Sequence, residues 1–405
     1  MIEKLYREDN YQEKVKAVTK TKCNRCLSEN IYQDSSGRYY CLDCYEYGEI
    51  NDNMSLYRYQ REIPKLRHVL NMEYTLSKAQ EKGSLFLLDC FNRSTNGFLQ
   101  AVCGAGKTEM TYKTILKALN QNKKIGYILP RVAVLKEVYQ RFLRDFPKTN
   151  IAPLYEGKKV FQKANLIIST PQQLIYFYHE FDLLIIDEVD AFPFYNNQFL
   201  YRILKKSIKK DGVMLYMSAT IDSSFKKKIK FTNMKYQLIP SRYHYKPLIV
   251  PEFKHISSEQ KMLNILRNLF KKTRQTLVFI PTINLGKRYY KELHLINPSI
   301  RFVYSNSLDK QNIISSFYRK EFRVLITTTL LERGITFPDI DCIVLRAEHD
   351  VFNKSTLIQI AGRVGRAIGF ENGSVIFYSK YLSKAMRQAK KEIQLMNKQN
   401  EMQNM

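Results

Sequence analysis

The sequence contains no tryptophan and no apolar run long enough to cross a bilayer as a helix. A helical integral membrane protein is therefore not expected. The first residues, MIEKLYREDNYQEK, lack the apolar core of a secretory signal, so the expected compartment is the cytosol. Cysteine is sparse, seven in 405 residues, which argues against a disulfide scaffold. Acidic residues are also short: 38 Asp and Glu face 65 Lys and Arg, for a net charge of +27. That excess favours a polyanionic partner such as DNA, RNA or an anionic membrane surface. The plainer alternative is a surface coated with lysine and bound to nothing. Lys205, Lys206, Lys209 and Lys210 form one basic cluster, and Lys226, Lys227, Lys228 and Lys230 another. Each alone reads as a solvated helix face.

What is present is ordinary for a globular chain: 44% apolar and 25% charged residues, at a length that suggests two or three domains. Residues 1–20 are polar and predict a short helix or an arm, and residues 52–65 read as a linker. From Tyr74 onward short apolar strands alternate with amphipathic helices. FLQAV (98–102), KIGYILP (124–130), NLIIST (165–170), DLLIID (182–187) and VMLYMS (213–218) predict the strands of one lobe. TLVFIP (276–281), RFVYS (301–305), RVLITTT (323–329), CIVLR (342–346) and SVIFYS (374–379) predict those of a second. Continuous apolar strands between helices indicate parallel sheets covered on both faces, an α/β fold. The proline-rich stretch LIPSRYHYKPLIVPEF (238–253) marks the boundary between the lobes. The expected segments are an arm with a cysteine module (1–60), a first lobe (61–240), a linker (241–257), a second lobe (258–381) and a tail (382–405). In the tail, Leu382, Met386, Ala389, Ile393 and Met396 recur at helical spacing, as expected of a helix packed on the second lobe.

AVCGAGKTE (101–109) sits between a predicted strand and a predicted helix, the context a phosphate-binding loop requires. Gly104, Ala105 and Gly106 let the backbone approach phosphates. Lys107 suits the β- and γ-phosphates, and Thr108 suits Mg²⁺. DLLIIDEVDAF (182–192) ends a strand in Asp187, a Mg²⁺ residue, and Glu188, which would orient and polarise an attacking water. Asp190 follows, and MSAT (217–220) closes the next strand with Ser218 and Thr220. Upstream, the amide of Gln80 could pair with both edges of adenine, or it is an exposed helix residue.

Four cysteines stand as CNRC (23–26) and CLDC (41–44). Two CxxC pairs at this separation predict a structural zinc site formed by Cys23, Cys26, Cys41 and Cys44, in preference to redox pairs or catalytic zinc. Arg25, Arg38 and the neighbouring tyrosines suit either nucleic acid or a packed ribbon.

GAGKT, DEVD, SAT, TTTLLERGITFPDID (327–341) and QIAGRVGR (359–366) together resemble the superfamily 2 helicases. The resemblance implies two RecA-like lobes and ATP as cofactor, with Gly334 near the nucleotide. It also implies that Arg363 and Arg366, three apart on a helix, are arginine fingers. It places backbone phosphates of a nucleic-acid strand against Arg131, Thr170, Thr282 and Thr328. A tetracysteine module ahead of the motor, with PRVAV (130–134), STPQQL (169–174) and ERGITFP (332–338), is similar to the ComFA family of late competence proteins in Gram-positive bacteria. Cys103 departs from it, where threonine is often found. That family implies ATP-driven translocation on single-stranded DNA and a ComFC-type partner. It also implies work beside a membrane DNA channel, at the inner face of the cell membrane, without a transmembrane segment of its own. The alternatives are a duplex-unwinding repair or replication-restart helicase, an RNA motor, and a DNA-binding scaffold whose nucleotide site only switches its shape.

Overall fold

The computed structural model describes residues 1–158, 163–194, 197–221, 223–269, 271–297, 299–332 and 337–404. The chain divides into two compact units: residues 1–100 with 107–239, and residues 101–106 with 240–405.

The first unit opens with β1 (Ile2–Lys4), β2 (Glu13–Lys16), β3 (Ile31–Gln33), β4 (Tyr39–Cys41) and β5 (Ser55–Tyr59). It continues with β6 (Gly97–Ala101), β7 (Ile125–Ile128), β8 (Ile151–Leu154), β9 (Leu166–Ser169), β10 (Phe181–Ile186), β11 (Ile208–Ser218) and β12 (Lys235–Ile239). A seven-stranded sheet in the order β12-β6-β11-β10-β7-β9-β8 forms the lobe, and its central pairings are parallel. The strands β7 (IGYI), β9 (LIIS) and most of β10 (FDLLII) are buried and largely apolar, as a sheet covered on both faces demands. Gly126 in β7 is required by that packing: a Cβ there would stand 2.6 Å from Leu184 Cδ2 and 3.3 Å from the Phe181 ring. The helices are α1 (Lys78–Asn92), α2 (Lys107–Met110), α3 (Tyr112–Asn120), α4 (Val132–Asp145), α5 (Gln198–Ser207) and α6 (Ser223–Phe231).

Three expectations change in this unit. Residues 1–20 contain no helix, and residues 52–65 are not a free linker. β1, β5 and β2 instead form an antiparallel three-stranded sheet, with Leu56 and Arg58 buried and Arg61 paired to the buried Glu180. The first basic cluster is not one solvated helix face: Lys205 and Lys206 end α5, whereas Lys209 and Lys210 lie on β11. The Lys206 side chain has no exposed surface, and its Nζ donates to Glu3 Oε1 (2.8 Å) and to the carbonyls of Arg25 (2.7 Å) and Ile175 (2.8 Å). The cysteine module packs directly on the first lobe. Its four cysteines share one apolar core with Ile50, Leu56, Phe177, Phe181 and Phe199, and Tyr47 stacks on Phe199 at 4.6 Å.

The second unit carries β13 (Glu252–His255), β14 (Gln275–Phe279), β15 (Arg301–Val303), β16 (Val324–Thr327), β17 (Ile340–Leu345) and β18 (Val375–Ser379). They form a parallel sheet in the order β13-β18-β17-β14-β16-β15. Its helices are α7 (Glu259–Leu269), α8 (Ile283–His294), α9 (Lys310–Tyr318), α10 (Lys354–Ala361) and α11 (Lys384–Asn404). The tail helix packs as expected through Met386, Ala389, Ile393 and Met396. Leu382, by contrast, precedes the helix and is 45% exposed. Asn397 brackets Leu248 with two backbone bonds, and Asn400 Nδ2 donates to the Tyr245 carbonyl, so α11 holds the proline-rich stretch in place. The two units are both RecA-like α/β lobes.

Candidate nucleotide and metal sites

β6 runs into the glycine loop, and α2 starts at Lys107 in the first unit. Gly104 and Gly106 have φ of 82° and 77°, a region nearly closed to residues with a Cβ. Within the first unit, the end of β10 brings Asp187 near Lys107. Its Oδ2 accepts from Tyr127 Oη (3.3 Å) and its Oδ1 from the Glu188 N–H (2.8 Å). The Tyr127 hydroxyl also lies against Thr108, so Thr108 and Asp187 share one buried tyrosine between them. Burial pushes the Asp187 carboxyl up to about 6. Lys107 opposes that shift and Glu188 adds to it. Lys107, Thr108, Asp187 and Glu188 are thus gathered at the strand ends, and a carboxylate and a hydroxyl there are the hard oxygen donors that Mg²⁺ takes. Glu188 itself sits at φ 52°, an unusual conformation held at the turn after the strand. Thr220 Oγ1 donates to Asp190 Oδ2 at 2.6 Å, and the Thr220 N–H donates to Ser218 Oγ, which ties the DEVD and SAT segments together.

Gln80 is buried, not an exposed helix residue. It completes a capping box with Ser77, whose N–H donates to Gln80 Oε1 at 3.0 Å. Its oxygen is therefore engaged at the start of α1.

In the second unit, α10 ends at Ala361, so Arg363 and Arg366 lie in the turn beyond it and not on one helix face. Arg363 is buried, and Arg366 Nε donates to the Gly362 carbonyl at 2.7 Å. The residue that shapes this turn escaped the sequence reading. Arg242, 1% exposed, donates to the carbonyls of Gly362 (3.3 Å), Val364 (2.9 Å) and Gly365, and in the same unit to that of Cys103 (3.3 Å). One guanidinium fork thus gathers the backbone carbonyls of the turn that follows α10. Cys103 Sγ donates to Gln359 Oε1 at 2.9 Å. Nothing in the local sequence around SRYHY flagged Arg242, because its partners are backbone atoms more than a hundred positions away.

The four cysteine sulfurs all lie within 4.8 Å of one another and are buried. Cys23 and Cys44 sulfurs are 3.9 Å apart, and those of Cys26 and Cys41 3.6 Å. Thiolates about 2.3 Å from one tetrahedral ion stand about 3.8 Å apart, so the cluster fits zinc. Disulfides are excluded by the same distances. Arg25 is not available to nucleic acid: it is buried and donates to the carbonyls of Tyr47 and Gly48, whereas Arg38 is exposed.

Comparison with known proteins gives the same division. Residues 53–223 match the family described as type III restriction enzyme, res subunit, and residues 260–368 match the helicase conserved C-terminal domain. The chain is 35% identical to the competence protein ComFA of Streptococcus pneumoniae, over 97% of this chain and 95% of that one. It is 32% identical to ComFA of Bacillus subtilis, over 93% and 85%. The chain belongs to the ComFA family. Its helicase domains make it an ATP-hydrolysing superfamily 2 enzyme that uses Mg²⁺. The fold is shared with S. cerevisiae Dbp5 bound to RNA and ADP BeF3, at a TM-score of 0.63 and 18% identity over 80% of this chain and 88% of that one.

The sequence-predicted nucleic-acid residues lie at strand ends. Arg131 precedes α4, and Thr170 is buried after β9. Thr328 follows β16. Thr282 is exposed and caps α8, its hydroxyl accepting from the Leu285 N–H. Gly334 lies outside the described residues. Among the described residues no helix is long and apolar enough to cross a membrane.

Proposed function

We propose that this protein is an ATP-driven translocase on single-stranded DNA that serves the uptake of transforming DNA. The observation that carries the reading is the convergence of Lys107, Thr108, Asp187 and Glu188 at the strand ends of a lobe in a ComFA-family chain. In this account the glycine loop and Lys107 bind the phosphates, and Thr108 and Asp187 hold Mg²⁺. Glu188 orients the water and accepts its proton. Arg363 and Arg366 add positive charge to the transferring phosphoryl group. Gln80, with its oxygen held by Ser77, would offer its amide nitrogen to adenine.

Strand-end residues Arg131, Thr170, Thr282 and Thr328 would hold the DNA backbone, giving weak sequence preference and steep salt dependence. The Cys23, Cys26, Cys41 and Cys44 cluster would hold one structural Zn²⁺. A ComFC-type protein and a membrane DNA channel are the proposed partners, with the enzyme peripheral at the inner face of the membrane. Steady-state ATP hydrolysis with single-stranded DNA, duplex DNA or RNA, at low and high salt, tests the reading. Stimulation by single-stranded DNA above the other two is expected. Preferential stimulation by duplex or RNA would replace it with an unwinding or RNA motor, and no stimulation by any would leave a nucleotide-switched scaffold.

A further inference from the structure

The small sheet β1–β5–β2 has two unlike faces. Side chains alternate along a strand, so the register assigns each residue to a face. Glu3 and Glu13 both pair with Arg58, and Val15 pairs with Leu56. This face is the inner one: Arg58 and Glu3 are buried in a salt bridge at 3.0 Å, and Leu56 belongs to the core. The opposite face carries the row Lys4–Tyr57–Lys14, followed by Lys16 opposite Ser55. The segment between β1 and β2 covers Tyr59, whose hydroxyl accepts from the Glu8 N–H, and delivers two more rings to this side. Tyr11 stands edge-on to Tyr57, with centroids 5.2 Å apart. Tyr6 is 62% exposed beside Lys4, whose Nζ is 5.2 Å from its ring centre. Arg7 lies 5.6 Å from the Tyr11 ring and Lys14 5.7 Å from that of Tyr57.

We propose that this face is a stacking platform for single-stranded nucleic acid, separate from the nucleic-acid contacts expected at the strand ends of the two lobes; the inference rests on the single-strand reading above. Three tyrosine rings stand among Lys4, Arg7, Lys14 and Lys16, with Glu8 paired to Lys4 and Asp9 beside it in the same segment. This leaves a net positive aromatic face, which matches a ligand that is flat, aromatic and anionic at regular intervals. An apolar protein surface would call for aliphatic side chains, which this row lacks. A duplex keeps its bases stacked on one another and offers no free faces to the tyrosines. Edge-on packing and the neighbouring cations fix the Tyr11 and Tyr57 rings before the ligand arrives, which lowers the ordering cost of binding.

The test is fluorescence anisotropy of the full chain with labelled oligo(dT), oligo(U) and a hairpin duplex. Two variants are compared with the parent: Tyr11→Ala/Tyr57→Ala and Lys14→Ala/Lys16→Ala. Base stacking on one ring changes affinity roughly 5- to 150-fold, so the aromatic variant should bind oligo(dT) at least about tenfold more weakly. Removing two phosphate contacts should flatten the log–log salt slope by about 1.4. The lysines are solvent-exposed, so their variant keeps the test decisive if the tyrosine variant fails to fold. Nucleic-acid-free ATP hydrolysis should be unchanged in both. Comparable losses with oligo(dT) and oligo(U) support a platform for either single strand, and loss with oligo(dT) alone assigns it to DNA. Variants that bind oligo(dT) within twofold of the parent with an unchanged salt slope overturn the platform and leave the function reading standing. An equal loss on the duplex overturns it in favour of a general cationic patch. A parent that neither binds single strands nor is stimulated by them removes the function reading itself.

Discussion

Replacing Lys206 with methionine isolates the contact that joins the N-terminal sheet, the cysteine module and the first lobe. Lys206 Nζ makes three bonds of 2.7–2.8 Å, to Glu3 of β1, to the Arg25 carbonyl inside the CNRC knuckle and to the Ile175 carbonyl of the lobe. The side chains of Lys206 and Glu3 are 0% and 1% exposed. Burial lowers the pKa of Lys206 from its ordinary value; the Glu3 carboxylate opposes that, and the Arg25 and Arg58 charges add to it. Methionine fills the volume but leaves two carbonyls and part of a carboxylate without donors. Removing one partner of a buried pair costs about 3–5 kcal/mol. In a unit of this size each kcal/mol lowers the melting temperature by about 2–4 °C, so a fall of roughly 6–20 °C is expected. Lys209→Met is the internal control, because Lys209 is 36% exposed in its pair with Asp182 and should cost under about 1 kcal/mol. Glu3→Gln combined with Lys206→Met should recover part of the loss, since Arg58 keeps Glu13. Calorimetric unfolding, read with release of bound zinc, is the assay. A Lys206→Met melting temperature within about 2 °C of the control would refute the idea that this lysine staples the module to the lobe.

Three further outcomes follow from the sites. Asp187 has a folded pKa near 6, above its ordinary value of 3.8, so the ligand-free fold loses stability as pH rises through 6. Asp187→Asn should therefore melt higher than the parent at pH 8, by up to about 3 kcal/mol, and lose that advantage near pH 4, while hydrolysis disappears; an advantage independent of pH would contradict the assignment. Cys26→Ser, or chelation, should abolish stoichiometric zinc in metal analysis and lower the unfolding temperature of the whole first unit, because the sulfurs share its core; a local change alone would contradict this. Arg242→Ala should cut kcat for ATP at least about tenfold with a small change in KM, and Arg242→Lys should restore part of it; an unaltered kcat would show that the arginine turn holds itself.

The lobes were legible because their strands are continuous apolar runs and their motifs sit at strand ends. β10 and its Asp187–Glu188 end could be read to within a residue. β8 was missed because Pro153 interrupts IAPL, and β13 because EFKH lies on the sheet edge after a proline-rich stretch, with Phe253 half-buried and its other three residues exposed. β1, β2 and β5 are short and charged, and their cohesion comes from long-range ion pairs such as Glu3–Arg58, which no local pattern shows. The burial of Lys206 and Arg25 has the same cause: each is satisfied by carbonyls distant in sequence. The cysteine spacing gave the metal cluster directly, whereas the placement of Arg363 and Arg366 beyond the helix depends on Gly362 and Gly365, the latter at φ 68°.

The most direct test of the central account is displacement of streptavidin from the end of a biotinylated single-stranded DNA by the full chain with ATP. The account predicts ATP-dependent displacement from one end and none with Glu188→Gln. Hydrolysis stimulated by single-stranded DNA with no displacement from either end would contradict it, leaving a DNA-activated ATPase that does not move.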